Sequence, residues 1–183
     1  MKILIFGASG AGTTTLAKEV AERTDFKHLD LDDYYWKKTT PPYQIKIPLI
    51  ERNKNLRIDF RKFKNIVLSG SMVSWGKEWE TVFDFVFFIR LNNAERMKRL
   101  EKREIERYGD LLFTDRKIQK NSNAFLEWAN QYEDPNFQGR SLVVHTNWMK
   151  LLNCKVLSLD GASELDDKVD LVLNEIKMFY KDL

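Results

Sequence analysis

The stretch GASGAGTTT, residues 7–15, constrains this chain more than any other. Before it comes the short apolar run KILIF (2–6), which reads as a strand buried on both faces. After it comes TTTLAKEVAER (13–23), with Leu16, Val20 and Ala17 or Ala21 on one helical face. Three of the eight glycines fall between Gly7 and Gly12, in the spacing G-x-x-x-x-G. Glycines there let consecutive backbone amides point at one spot. The helix that follows adds roughly half a positive charge at its start. That combination suits a phosphate, although a bare strand-to-helix turn also uses glycine. A phosphate loop normally continues with lysine and then serine or threonine. Thr14 fits the last position, and Thr13 occupies the lysine position.

The rest of the chain alternates in the same way. Strands are expected at 26–31, 65–71, 83–91 and 154–161, and helices at 49–63, 92–109, 142–152 and 163–180. The last helix shows Leu165, Val169, Val172, Ile176 and Phe179 on one face. TTPPYQIKIP (39–48) is excluded from regular structure, because proline fixes φ and removes a donor. Residues 110–140 read as a long polar stretch with one amphipathic piece, AFLEWANQY. Five strands separated by helices predict an α/β fold, a five-stranded parallel sheet with helices on both faces plus a lid insertion. Ligands of such sheets sit at the carboxyl ends of the strands. The glycine loop, the acids after Leu29, Ser69-Gly70-Ser71 and Asp160-Gly161 all fall there.

With 183 residues, one domain is expected over 1–183. The charged residues are mixed, the net charge is +3 and there is no polybasic tail, which gives weak grounds for a nucleic-acid partner. One cysteine, Cys154, excludes an intrachain disulfide and fits a reducing compartment. No apolar run approaches the ~20 residues of a membrane span, so a soluble, cytoplasmic protein is expected.

The second expected strand runs out into LDLDDYYW. Strand alternation puts Asp30 and Asp32 on one side, facing the glycine loop. Carboxylates there hold Mg²⁺ through water or accept a proton from a substrate hydroxyl. A helix cap followed by core aromatics is the competing explanation, above all for Asp33 and Tyr35. After the fourth strand, Arg96, Arg103 and Arg107 fall on one helical line, with Arg99 a step aside. An ordinary solvated face carrying i,i+4 ion pairs such as Glu95–Arg99 would look the same. Ser69 stands where a nucleotide site often carries an acid, so the metal acid falls to Asp30 or Asp32. His28 and the tryptophans at 75, 79, 128 and 148 read as packing residues.

Taken together, GASGAGTTTLAKEVA, LDLDDYYWKKTTPPYQIK, VLSGSMVSWG, DFVFFIRLNNAERMKRLEKREIERYG and CKVLSLDG resemble the nucleoside monophosphate kinase superfamily, the adenylate kinase-like P-loop proteins. The chain is most similar to a bacterial group with threonine at the lysine position, often described as AAA family ATPases. The resemblance implies ATP and Mg²⁺ as cofactors and a small-molecule acceptor, most naturally a nucleotide. It implies an acceptor-binding segment at 32–60 and a lid at 108–140. Gly7, Ser9, Gly10, Ala11, Gly12, Thr13, Thr14 and Thr15 would bind the phosphates, and Arg99, Gly161 and Ala162 the nucleotide base. Arg99 and Arg103 match lid-entry arginines, and with Asp30 and Asp32 form the expected catalytic set. Thr14, Asp30 and Asp32 would hold the metal. The alternative implied by the missing lysine is a regulatory protein that binds nucleotide with little turnover.

Overall fold

The computed structural model describes the backbone of residues 1–181 and the side chains of residues 1–179. Asp182 and Leu183, the end of the expected single domain, lie outside the described residues. In chain order the elements are β1 (Lys2–Gly7), α1 (Thr13–Glu22), β2 (Lys27–Asp30), α2 (Leu31–Tyr35) and α3 (Leu49–Lys62). Then come β3 (Ile66–Ser69), β4 (Phe85–Arg90), α4 (Asn93–Tyr108), α5 (Leu111–Thr114) and α6 (Arg116–Asn130). α7 (Leu142–Met149), β5 (Lys155–Asp160) and α8 (Leu165–Lys181) complete the order. The five strands form one parallel sheet in the order β2-β3-β1-β4-β5.

Alternation along the strands explains the layers. Ile3 and Ile5 of β1 and Phe85, Phe87 and Ile89 of β4 face α1 and α8, where Leu16, Val20, Val169, Val172 and Ile176 meet them. Leu4, Phe6, Val86 and Phe88 face the opposite way, onto Leu56 of α3, Trp75, Trp79 and Trp148 of α7. A sheet buried on both faces needs continuous apolar strands, and KILIF and FVFFI supply them. The tryptophans 75, 79 and 148 are core residues, as expected.

The largest departure from expectation is in 110–140. Two helices, α5 and α6, occupy most of it. α6 is started by Asp115, whose carboxylate accepts from the amides of Lys117 and Ile118. A second departure follows β2. The strand ends at Asp30 and the chain turns at once into α2, so strand alternation does not set the direction of Asp32. Residues 39–48 stay irregular, closed by one antiparallel bridge between Trp36 and Lys46. No helix among the described residues is long and apolar enough to cross a membrane.

Candidate functional site

The site lies where β1, β2 and β4 end. Gly12 caps α1 with φ of +97°, a left-handed conformation that glycine adopts without strain, and no side chain caps the helix. The first amides of a helix have no carbonyl a turn earlier. The amides of Gly10 and Gly12 also have no partner among the described residues, while the Ala11 amide donates to the Ala8 carbonyl at 3.1 Å. The loop therefore presents a set of unspent donors at a positive helix end, as its sequence predicts.

Asp30 closes one side of the loop. Its Oδ2 accepts from Thr14 Oγ1 at 2.9 Å, and its Oδ1 accepts from the Asp32 amide at 3.0 Å. It is thus both a helix cap, the competing explanation, and a partner of the loop. In the sheet Asp30 pairs in register with Ser69, which pairs with Ile5 of β1. The acid absent from the end of β3 stands one strand over, at the same height. Ser69 itself is buried and shares a hydrogen bond of 2.9 Å with His28 Nε2, so His28 packs and orders rather than reacts.

Asp32 is exposed in the first turn of α2, next to Asp30. Its carboxyl is pushed above the usual range, first by desolvation and second by Asp30, while Arg140, Arg103 and Arg107 pull it down. Because Asp32 is exposed, water still reaches it and limits that push. Arg140 comes from the far end of the segment 108–140, where a lid is expected. Its guanidinium stacks 4.9 Å from the Trp128 ring and donates from Nη2 to Ser9 Oγ at 3.3 Å. Arg103 lies over Phe125, at 5.9 Å. Arg107 stacks on Tyr43 at 4.0 Å and is paired with Glu104 at 2.8 Å. Tyr43 has φ of +63°, a strained conformation for a residue with a side chain. Tyr108 donates to the Pro42 carbonyl at 3.2 Å, so the irregular segment rests on α4.

On the other side of the loop is a cavity of about 280 Å³, lined by Ala11, Gly12, Thr15, Arg99, Gly161, Ala162 and Lys168 among others. It lies near the lower end of ligand pockets, about 300–1,000 Å³. Lys168 donates to the carbonyls of Gly161 and Ser163 and so holds the Asp160–Ser163 turn against the cavity.

The expected arginine stripe is divided by the structure. Arg99 belongs to the cavity, Arg103 and Arg107 to the surroundings of Asp32, and Arg96 is wholly buried behind the loop. The Glu95–Arg99 pair is not among the ion pairs of the described residues; Lys102–Glu106 takes that form instead. Arg140, Tyr43 and Lys168 were not expected. Arg140 has no periodic or motif signal around it in the sequence, whereas Tyr43 lies in the proline-rich break that marked the acceptor segment.

No cluster of three or more His, Cys, Asp or Glu side chains able to hold a metal occurs among the described residues. Mg²⁺ does not need one, since it is commonly held by one or two carboxylates, water and substrate phosphates. The adjoining Thr14 hydroxyl and Asp30 carboxylate fit that donor set.

A parallel sheet in this order, with a glycine loop feeding α1, is the P-loop kinase-like fold. Solved structures agree. Deoxyadenosine kinase from M. mycoides with bound dATP aligns with a TM-score of 0.57 at 15% identity, covering 97% of this chain and 100% of that one. Shikimate kinase from Acinetobacter baumannii in complex with shikimate aligns with a TM-score of 0.55 at 16% identity, covering 99% and 93%. In sequence, residues 3–122 match the AAA domain family, and the chain belongs to it. It is also 36% identical over 172 residues to "Uncharacterized protein YqaC" of Bacillus subtilis (strain 168), covering 94% of this chain and 95% of the relative.

Proposed function

We propose that the protein is an ATP-dependent phosphotransferase of adenylate kinase-like type, acting on a small hydroxylated acceptor, most naturally a nucleoside or nucleotide. The observation that carries this reading is the placement of Asp32. Its amide donates to Asp30 Oδ1 at 3.0 Å beside a loop of unspent amides, and its carboxyl is raised while Arg140, Arg103 and Arg107 lie near enough to pull it back.

In this reading the amides of Gly10, Gly12 and the first turn of α1 bind the β- and γ-phosphates. The base lies in the cavity between Arg99 and the Gly161–Ala162 turn. Thr14 and Asp30 would hold Mg²⁺, and the ion would supply charge neutralisation to the phosphates. The acceptor lies over the segment 32–60 with its hydroxyl at Asp32. As the acceptor oxygen attacks the γ-phosphorus, its proton passes to an Asp32 carboxylate oxygen. The bond to the departing diphosphate oxygen breaks. Arg140 and Arg103 neutralise the transferring group, and Arg107 orients the acceptor through Tyr43. A raised carboxyl suits proton acceptance near neutral pH better than an ordinary one. Catalysis is positioning plus electrostatics, with no covalent protein intermediate.

The test is direct. ATP binding is measured by calorimetry with and without Mg²⁺, and transfer of labelled γ-phosphate is followed against a panel of nucleosides and nucleotides. Binding with transfer to at least one acceptor class is the expected result. Binding without transfer to any acceptor would favour the regulatory reading, which the absent lysine at Thr13 supports. No binding would sink both.

A further inference from the structure

Helix α4 buries four residues at helical spacing, Arg96, Leu100, Glu104 and Tyr108. Glu104 has cationic and hydroxyl partners in Arg107 and Ser122. Arg96 has no such compensation. Its exposure is 0%, yet every group it touches is neutral. Nη1 donates to the carbonyls of Ser9 at 3.3 Å and Ala129 at 3.4 Å, and Nη2 donates to Asn93 Oδ1 at 2.6 Å. The guanidinium lies 4.9 Å from the Tyr132 ring. Nε has no hydrogen-bond partner among the described residues. Among the described residues no carboxylate pairs with it, and Glu133 acts only from a distance. A full charge removed from water and held only by neutral dipoles and one aromatic ring is costly.

The contact with Ser9 gives the charge a direction. In a trans peptide the carbonyl and the next amide point oppositely. Holding the Ser9 carbonyl back against Arg96 aims the Gly10 amide forward, into the loop. The helix backbone presses on the same peptide, since a Cβ on Gly10 would come within 2.9 Å of the Arg96 carbonyl oxygen. Arg96 therefore stands one peptide plane behind the anion site. The half-buried Ser9–Gly10 peptide lies between them, and charge beside it is screened less than in open water.

We infer that Arg96 is a positioning residue of the anion loop, supplying from behind it the fixed positive charge that Thr13 does not. It orients and polarises the Ser9–Gly10 peptide, and a bound polyphosphate in turn compensates the buried guanidinium. The inference rests on the loop binding phosphates, but adds a cation that touches no ligand. It also explains why a neutral residue is tolerated at position 13.

The experiment compares the parent with R96Q, R96M and R96K in calorimetric titrations with inorganic pyrophosphate, and by thermal unfolding without and with that anion. R96Q and R96M should unfold at or above the parent temperature without anion, bind pyrophosphate at least tenfold more weakly, and gain less on binding. R96K should recover most of the affinity. A purely structural arginine predicts the reverse, with lower apo stability and unchanged affinity, and that result overturns the inference. So does R96K binding as weakly as R96M, which would make shape and not charge the cause. R96Q failing to fold even with saturating pyrophosphate also counts against it, because then the guanidinium is needed by the fold itself. If the parent binds neither pyrophosphate nor ATP, the loop reading fails first. If the parent binds and R96Q binds equally, only the role of Arg96 falls.

Discussion

Arg140 and Ser9, 131 positions apart in the chain, meet at 3.3 Å, with the guanidinium donating to the hydroxyl. That contact brings the far end of the segment 108–140 over the glycine loop. It places a cation in front of the loop, where the sequence had pointed to Arg99 and Arg103. Arg99 instead lines the cavity, and Arg103 faces Asp32.

Arg140→Ala should therefore weaken ATP binding tenfold or more, about 1.4 kcal/mol, and reduce phosphoryl transfer by about 10³ or more. Arg99→Ala should mainly reduce discrimination between nucleotide bases. Lys18→Ala, on the exposed side of α1, should change neither. Calorimetry with ATP and GTP on the three variants separates these outcomes, and equal binding by Arg140→Ala and the parent would remove Arg140 from the site.

Asp32→Asn should leave ATP affinity nearly intact and lower transfer by about 10²–10⁴, the range of a lost general base. Its stability should move the other way. Because the folded carboxyl is raised above its unfolded value, the fold carries a penalty above the folded pKa that vanishes below the ordinary carboxylate range. The variant should equal or exceed the parent at pH 7, and the difference should close as pH falls towards about 4. Unfolding midpoints across that range provide the check.

His145 is buried between Ser71, which shares a hydrogen bond of 2.9 Å with Nε2, and Tyr132, which shares one of 2.8 Å with Nδ1. Desolvation, with a smaller contribution from Arg140, pushes its pKa down to about 3. The unfolded chain takes up the proton near pH 6.5, the folded one does not. Stability from this group is complete above that pH and falls as the solution is acidified towards pH 3, by at most about 1.4 kcal/mol per pH unit. His145→Gln should be less stable at pH 7.5, by about 1–3 kcal/mol from disturbed hydrogen bonds. Its stability should depend less on pH between 6.5 and 4.5. A slope unchanged from the parent would mean that another group sets the acid limit.

Thr13 is half-buried at the first position of α1 and makes no side-chain hydrogen bond among the described residues. Thr13→Lys should fold with a stability change of about 0.5 kcal/mol or less, and should tighten ATP binding or raise turnover. Weaker ATP binding by a folded Thr13→Lys would show that the cations already around the loop leave no room for another.

What could be read in the sequence divides along physical lines. The glycine loop was legible because it is local, since strand, glycines and helix start are consecutive and the backbone does the work. Asp30 was legible because a strand end in such a sheet faces the ligand edge. α6 was underread because its inward positions include Ser122 and Ala129 beside Ile118, which dilutes the apolar period. Arg96 falls with Arg103 and Arg107 on a basic stripe in the sequence, and its full burial is not legible there because charge normally means exposure. Arg140 was invisible because its role comes only from tertiary folding of the segment 108–140 over Ser9 and Trp128.

The strand order also governs how the chain must be made. β1 is synthesised before its two neighbours, β3 and β4, which begin at residues 66 and 85. At about 5–20 residues per second, the run KILIF waits roughly 3–13 s after translation for its first partner and longer for its second. During that interval an apolar strand with both edges open is in the company of other nascent chains. The glycine loop attached to it has no fixed shape until β3 arrives. Slow translation, or truncation before β4, thus leaves an apolar strand of the protein without the sheet that hides it.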